Sequence, residues 1–330
     1  MFIIESYSLA VIFCFITMLC WGSWANTQKL TAGQWRFELF YWDYVFGIVV
    51  FTLLFALTVG STGDAGRPFL LDIQQGDNSN IWSAFLGGII FNAANILLTA
   101  AIAIAGMSVA FPVGIGLALV IGVVINYLDV PVGNPVLLFS GVACIAVAIG
   151  LNTYAYKKQS GTQKASTKGL ALSIISGSLM GLFYNYVAAS MATDFVHPEI
   201  GKLTPYTSLF IFSLGILASN FIFNSLIMAF PFTGDRVAIA SYFKGAIRNH
   251  AVGILGGCIW SLGMSFSILA SEKAGPAISY GLGQGATVIA ALWGIYIWKE
   301  FKDAPASIHR ILQSMLGLYV LGLIILILSR

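Results

Sequence analysis

Two stretches decide how this chain is read: Ala105–Leu117, AGMSVAFPVGIGL, and Ala274–Ala286, AGPAISYGLGQGA. They align at an offset of 169, with identities at Ala105/Ala274, Gly106/Gly275, Gly114/Gly283 and Gly116/Gly285. Val109/Ile278, Phe111/Tyr280 and Val113/Leu282 are close substitutions, and the same offset aligns Gly87–Gly88 with Gly256–Gly257. Gly-rich apolar helices resemble one another by composition. Here, however, both copies occupy the same place, a long apolar stretch followed by a short turn and a Gly-rich stretch, which points to an internal duplication.

Working outward, ten stretches have the roughly 20 apolar residues that a bilayer-spanning helix needs. They are 7–28, 43–60, 81–104, 107–128, 135–155, 169–192, 205–230, 250–271, 274–298 and 308–328. Backbone groups in lipid must be satisfied within their own segment, so these are helices, and the alternation of a membrane barrel is absent. Of the 330 residues 58% are hydrophobic and only 9% charged, against about 25% charged in a soluble domain. Mean hydropathy is +0.88. The predicted fold is an all-α membrane protein with ten transmembrane helices, arranged as two five-helix repeats. An odd number of helices per half makes the second half enter the membrane in the opposite sense, which is an inverted repeat.

The polar stretch Tyr156–Lys168, YKKQSGTQKASTK, divides the chain into a first repeat (1–155), a basic linker (156–168) and a second repeat (169–330). Counting loops alternately, one face holds Lys29, Arg36, Lys157, Lys158, Lys164, Lys168, Arg236, Lys244, Arg248, Lys299, Lys302 and Arg310. The other holds Arg67, Lys202, Lys273 and Arg330. The bias of Lys and Arg toward the cytoplasm predicts that the linker is inside and both termini are outside, in a multi-pass cell-membrane protein. The first apolar run follows Glu5 with no Lys or Arg before it, so it reads as a membrane helix and not as a signal peptide.

Composition also excludes. A net charge of +3 is too weak and dispersed for a nucleic-acid footprint. Cys14, Cys20, Cys144 and Cys258 lie in apolar runs without a C-x-x-C, so neither a metal site nor a disulfide framework is expected. No P-loop and no hydrolase or metalloprotease motif appears, and neither enzymatic activity nor a cofactor is predicted. The sequence carries nothing on oligomeric state.

Inverted repeats occur in transporters, with a site near the midplane where helices are interrupted. Pro112 and Gly114 in the fourth span, and Gly281 and Gly283 in the ninth, are candidate breaks, though small residues serve close helix packing equally well. Candidate binding residues are Trp21 and Trp24, Asn92 and Asn95 on one helix face, Tyr184 and Asn185, Ser261 beside Trp260, and Tyr280 and Gln284. Any one buried amide also serves to bond neighbouring helices. Taken together, aromatics and neutral amides suit a small uncharged polar solute. No charge stands mid-membrane to pair with a strongly charged one. Asp43, in FYWDY (40–44), is the candidate proton carrier; the alternative is an exposed acid at a helix start. His197, His250 and His309 lie at segment ends, which argues against a histidine relay.

The motif LCWGSWANTQKL (19–30) resembles the W-G-[ST] opening of the drug/metabolite transporter superfamily. Trp42–Asp43–Tyr44, the stretch Gly87–Asn95, and Gly106 to Asp129 with its ending VIGVVINYLD resemble the ureide permease family. The glucose/ribose and rhamnose sugar-porter branch is similar in layout. The resemblance implies a secondary transporter: proton-coupled uptake of neutral heterocycles such as allantoin or uracil, or of a monosaccharide in the sugar branch. Exporters in the superfamily leave direction open. Plant ureide permeases carry a longer central loop with a P-loop-like stretch; Tyr156–Lys168 lacks it, so no nucleotide role carries over. A non-transporting scaffold or sensor is the alternative from another class, disfavoured by the short loops.

Overall fold

The computed structural model describes residues 1–31, 35–105, 107–160, 167–232 and 234–330. Gly106, the linker residues 161–166 with Lys164, and the side chains of 102, 103, 105–109, 111, 112 and 160 lie outside the described residues. The described chain is helical: α1 (Tyr7–Ser23), α2 (Ala25–Thr31), α3 (Phe37–Leu57), α4 (Phe69–Gln75), α5 (Asn78–Ala105), α6 (Met107–Asp129), α7 (Pro135–Ser160), α8 (Thr167–Ser190), α9 (Pro205–Ala229), α10 (Ile247–Ala274), α11 (Pro276–Gln284), α12 (Ala286–Leu292) and α13 (Ala306–Leu328). Among the described residues nine helical stretches are long and apolar enough to cross a membrane, counting α1–α2 as one and running Pro276–Ile297 as another. Val113–Asp129 of α6 is a shorter apolar helix in the tenth place.

Most spans begin and end near the predicted positions. The second begins six residues early, at Phe37, because its first turn is polar yet buried: Glu38 is 2% exposed and accepts two hydrogen bonds from the Arg36 guanidinium. That shift places Asp43 inside the helix, 1% exposed, and corrects the alternative of an exposed helix-start acid. The fifth span continues through Lys157 and Lys158 to Ser160, so the predicted boundary at 155 falls within α7. Cations in a last turn favour the helix dipole. The short α4 and a 3₁₀ turn over Ile239–Lys244 were not anticipated.

Packing carries the duplication. The partner pairs α5–α8 and α1–α10 correspond by helix order within the halves, as do α3–α10 and α5–α9. So do α6–α8 and the contact of α1 with α11 and α12. The pairs α3–α9, α6–α11 and α7–α13 each join equivalent helices of the two halves, as expected across a pseudo-two-fold axis.

The repeated glycines explain how these pairs close. A Cβ on Gly88 would lie 2.0 Å from the Phe212 carbonyl oxygen, and one on Gly215 2.1 Å from that of Phe85. In the equivalent contact, a Cβ on Gly257 would lie 2.0 Å from the Tyr44 carbonyl oxygen and one on Gly47 2.2 Å from that of Ile254. Helices in lipid gain little from apolar burial against each other, so backbone-to-backbone approach supplies the attraction. Gly88→Leu is therefore expected to lower stability by about 1–3 kcal/mol or more. Its detergent-solubilised protein should lose the monodisperse chromatography peak at a lower temperature. Gly317→Leu, with open space around Gly317, should match the unsubstituted protein.

On the face where α3 and α8 end, loops interlock. Buried Asp72 receives Arg67 Nη1 at 2.8 Å and both the amide and hydroxyl of Thr204, and Arg67 reaches the carbonyls of Pro198 and Lys202. A buried carboxylate needs such paired donors. The opposite face carries most of the Lys and Arg and is called the basic face below.

Candidate functional site

Two interruptions adjoin in space. One separates α1 from α2 at Trp24; the other separates α11 from α12 at Gly285. Side chains take up nearby carbonyls: Thr27 Oγ1 donates to Trp24 O at 2.6 Å, Asn26 Nδ2 to Ser23 O at 3.0 Å, and Thr287 Oγ1 to Gln284 O at 3.1 Å. Local side-chain bonds of this kind let a helix stop within an apolar environment.

Between these interruptions lies a cavity of ≈ 100 Å³. Its walls are aromatic: Trp21 and Trp260 stack at 6.1 Å, Trp260 packs on Phe91 at 4.4 Å, and Trp24 and Phe183 complete them. Among the described residues its polar groups are Asn95, Gln284 and Thr287, and none that lines it is charged. Gln284 is 7% exposed, yet its amide has no hydrogen-bond partner among the described residues and it is not sealed from the cavity. Asn95 donates Nδ2 to the Tyr41 hydroxyl at 2.9 Å and leaves Oδ1 to the cavity. An amide with unpaired hydrogen-bonding groups in a largely apolar pocket can exchange bonds with a polar molecule there.

The cavity adjoins a vestibule of ≈ 360 Å³ through Gly22, Trp24, Ala25, Asn95, Leu98 and Ala290. The vestibule runs to the basic face, where Lys29 pairs with Glu300 at 2.9 Å and Tyr156 donates to Glu300 at 2.7 Å. Trp298 Nε1 donates to Asn26 Oδ1 at 2.7 Å there. Toward the other face, the Tyr184 hydroxyl, Ser267, Ser279 and Cys14 form a fully buried polar layer, and Tyr280 donates to Met180 O at 3.0 Å. The cavity in this conformation thus opens toward the basic face.

Of the predicted binding residues, Trp21, Trp24, Asn95 and Gln284 meet at the cavity. Asn92 lies off it, buried between Tyr41 and Ser219. Tyr184 and Tyr280 belong to the packed layer, with Tyr280 filling the notch at Gly122. Asn185 bonds Asp129 at 3.2 Å near the far face. Ser261 is buried away from the cavity. These five positions are corrections of place: none lines the cavity. Shared helix membership does not set which side of a helix faces a cavity, and apart from Ser261 each of these groups has found a partner on a neighbouring helix instead. The breaks need correction too. Gly281 and Gly283 sit inside α11 and the interruption is at Gly285, while α6 runs unbroken through Pro112 and Gly114. Gly114 serves packing, lying against Gly177. Phe91 was missed, although the offset of 169 pairs it with Trp260, the ring it touches.

A second cluster lies outside the cavity on the basic side. Asp43 accepts from the Tyr242 hydroxyl, and its two carboxylate oxygens lie 2.9 and 3.0 Å from His250 Nδ1. Trp35 meets His250 edge-on at 5.1 Å. Gly253 makes room, since a Cβ there would lie 2.4 Å from the Asp43 Cβ. Tyr242 comes from the 3₁₀ turn, and burial followed by its bond to Asp43 pushes its hydroxyl well above the usual tyrosine range. Tyr242 therefore remains a donor at physiological pH. The segment-end argument against histidine fails for His250, because α3 and α10 begin on the same face and bring the two groups together.

A family model described as ureide permease matches residues 40–168 and 157–329, its two segments meeting at the polar linker. Ureide permease 1 of Arabidopsis thaliana is 22% identical, over 100% of this chain and 99% of that protein. Ureide permease 2 of the same plant is 20% identical with the same coverage. A "Probable glucose uptake protein GlcU" of Staphylococcus aureus is 31% identical over 86 residues, 26% of this chain and 27% of that one. A solved crystal structure with 14% identity superimposes with a TM-score of 0.64, covering 97% of this chain and 96% of that chain, and shares the fold. With the match spanning both halves of the helical bundle, the chain belongs to the ureide permease family, a family of membrane transporters and not of enzymes.

Proposed function

We propose that this transporter is a proton-coupled carrier of a small neutral ureide or nucleobase-like solute, held between Trp21, Trp24, Asn95, Trp260 and Gln284. The observation that carries the reading is the cavity itself. It offers two amides with free hydrogen-bonding groups, aromatic walls and, among the described residues, no charge. A planar N–C(=O)–N group fits flat aromatic faces and exchanges both donor and acceptor bonds with amides. The relatives' names support the same class. A monosaccharide is the second reading, favoured by the partial similarity to the Staphylococcus aureus protein and by the suitability of tryptophan faces for sugar C–H surfaces.

In this reading the halves 1–155 and 169–330 rock about the cavity, joined by the basic segment 156–168 on the cytoplasmic side. Both termini are outside, in the cell membrane, and the present conformation faces inward. Asp43, with His250 and Tyr242, carries the proton. Proteoliposomes given labelled allantoin, uracil or D-glucose test the proposal. Expected is accumulation of a ureide or uracil above equilibrium under an inward proton gradient, collapsing when a protonophore is added. Accumulation of glucose alone transfers the reading to the sugar class, and gradient-independent uptake removes the proton.

A further inference from the structure

We infer that Tyr41, Asn92 and Ser219 form a one-way hydrogen-bond relay that fixes the orientation of the Asn95 amide, so that the cavity accepts only solutes presenting an N–H or O–H donor to Asn95. The inference rests on the reading of the cavity as the solute site and names what that site selects.

The relay begins at a fixed end. Ser219 has a single hydroxyl proton, and Oγ lies 2.7 Å from Gly215 O and 3.1 Å from Ile216 O in its own helix, where that proton is donated. Toward Asn92, Ser219 therefore offers only lone pairs and must accept, so Asn92 Nδ2 points at it, 2.9 Å away. Asn92 Oδ1 is then turned to Tyr41 and accepts its hydroxyl proton at 3.0 Å. With its proton committed, the Tyr41 oxygen accepts Asn95 Nδ2 at 2.9 Å. Asn95 consequently shows Oδ1, an acceptor, to the cavity. An amide is otherwise nearly symmetric in shape, and the network alone decides which end faces the ligand. Reversing the relay would take the Ser219 proton from its helix carbonyls. It would also leave two protons meeting at Asn95 and any donor on the solute.

The two asparagines of the relay occur in the first repeat only, anchored on Ser219 of the second. At the offset of 169, Asn92 and Asn95 correspond to Ser261 and Met264, neither of which can take their place. The pseudo-symmetric cavity thus has one polar wall with a defined sense, which is where discrimination between related solutes must arise. Gln284, whose amide has no hydrogen-bond partner among the described residues, adapts to either sense. Tyr41 and Asn92 do not line the cavity and act as positioning residues.

The test compares wild type with Tyr41→Phe, which keeps the ring and removes the link. Uptake of labelled uracil is competed with 1-methyl-, 3-methyl- and 1,3-dimethyluracil. Wild type should bind 1,3-dimethyluracil and one of the monomethyl compounds about tenfold or more weaker than uracil, the loss of one hydrogen bond with its acceptor left unpaired. In Tyr41→Phe the gap should shrink to about threefold or less while KM for uracil rises about tenfold and kcat holds. An unchanged gap and KM would overturn the inference. Should wild type transport D-glucose and not uracil, the ureide reading fails by itself, and the same comparison runs on singly O-methylated glucoses. A substrate-free arm applies in every case. Tyr41 and Ser219 share no hydrogen bond, yet the Tm losses of Tyr41→Phe and Ser219→Ala should be non-additive in the double variant. Additive losses reject the relay whatever the solute.

Discussion

Asp43→Asn is expected to abolish accumulation of solute above equilibrium in proteoliposomes while leaving exchange of internal for external solute within about threefold of wild type. Asparagine keeps the shape and accepts from Tyr242 through Oδ1, so the cage of Tyr242, His250 and Trp35 persists. What it lacks is a site that binds and releases a proton. Because Asp43 stands outside the cavity, solute affinity should change little, which separates loss of coupling from loss of binding. Asp43 and His250 face each other across 2.9 Å, so the pH profile of uptake should change when either is replaced. Tyr242, held protonated by burial and by its bond to Asp43, should contribute no step to that profile below pH 10 or so, the usual tyrosine range. His250→Gln should then shift the profile and keep some accumulation. Accumulation by Asp43→Asn at the wild-type ratio would remove this cluster from the coupling mechanism.

Gln284→Leu is expected to raise KM, or the Kd of a solute measured by quenching of tryptophan fluorescence, by about 10–100-fold, the range for deleting one well-placed polar contact. Stability should hardly fall, because the Gln284 amide makes no hydrogen bond within the described protein and leucine is close in size. Asn185→Leu is the contrasting variant: its amide serves Asp129 near the far face, and its substitution should leave affinity unchanged. Wild-type affinity in Gln284→Leu would place the solute elsewhere than between α1–α2 and α11–α12. The same fluorescence measurement on Trp24→Ala, which removes a wall shared by cavity and vestibule, should show binding weakened alike for donor-bearing and methylated solutes, with the donor selectivity ascribed to Asn95 kept.

What could be read from the residues alone is the part governed by short-range rules. Lipid forces every spanning segment into a helix, so length and hydropathy locate the spans. An odd count in each half then sets the inverted relation. The repeated glycines announced close approach, and Gly88 and Gly257 turn out to touch equivalent backbone carbonyls. The aromatic and amide composition of the cavity was visible in Trp21, Trp24, Asn95 and Gln284 for the same reason: such groups are costly in a membrane unless a pocket or a partner receives them.

Tertiary structure decided which of those two outcomes each group met. Asn92 and Asn95 share a helix face three residues apart, yet only Asn95 reaches the cavity, because Tyr41 from another helix stands between them and binds both. Tyr184, Asn185 and Tyr280 have the same chemistry as the cavity residues and bond groups on other helices, while the Ser261 hydroxyl is buried with no partner among the described residues. Asp43 and His250 are 207 positions apart, and no periodicity links them. A helix's own pattern specifies the angle at which a side chain leaves its axis. What that side chain meets is set by the rotation and depth of the neighbouring helices, and those follow from backbone contacts at glycines spread over the whole chain.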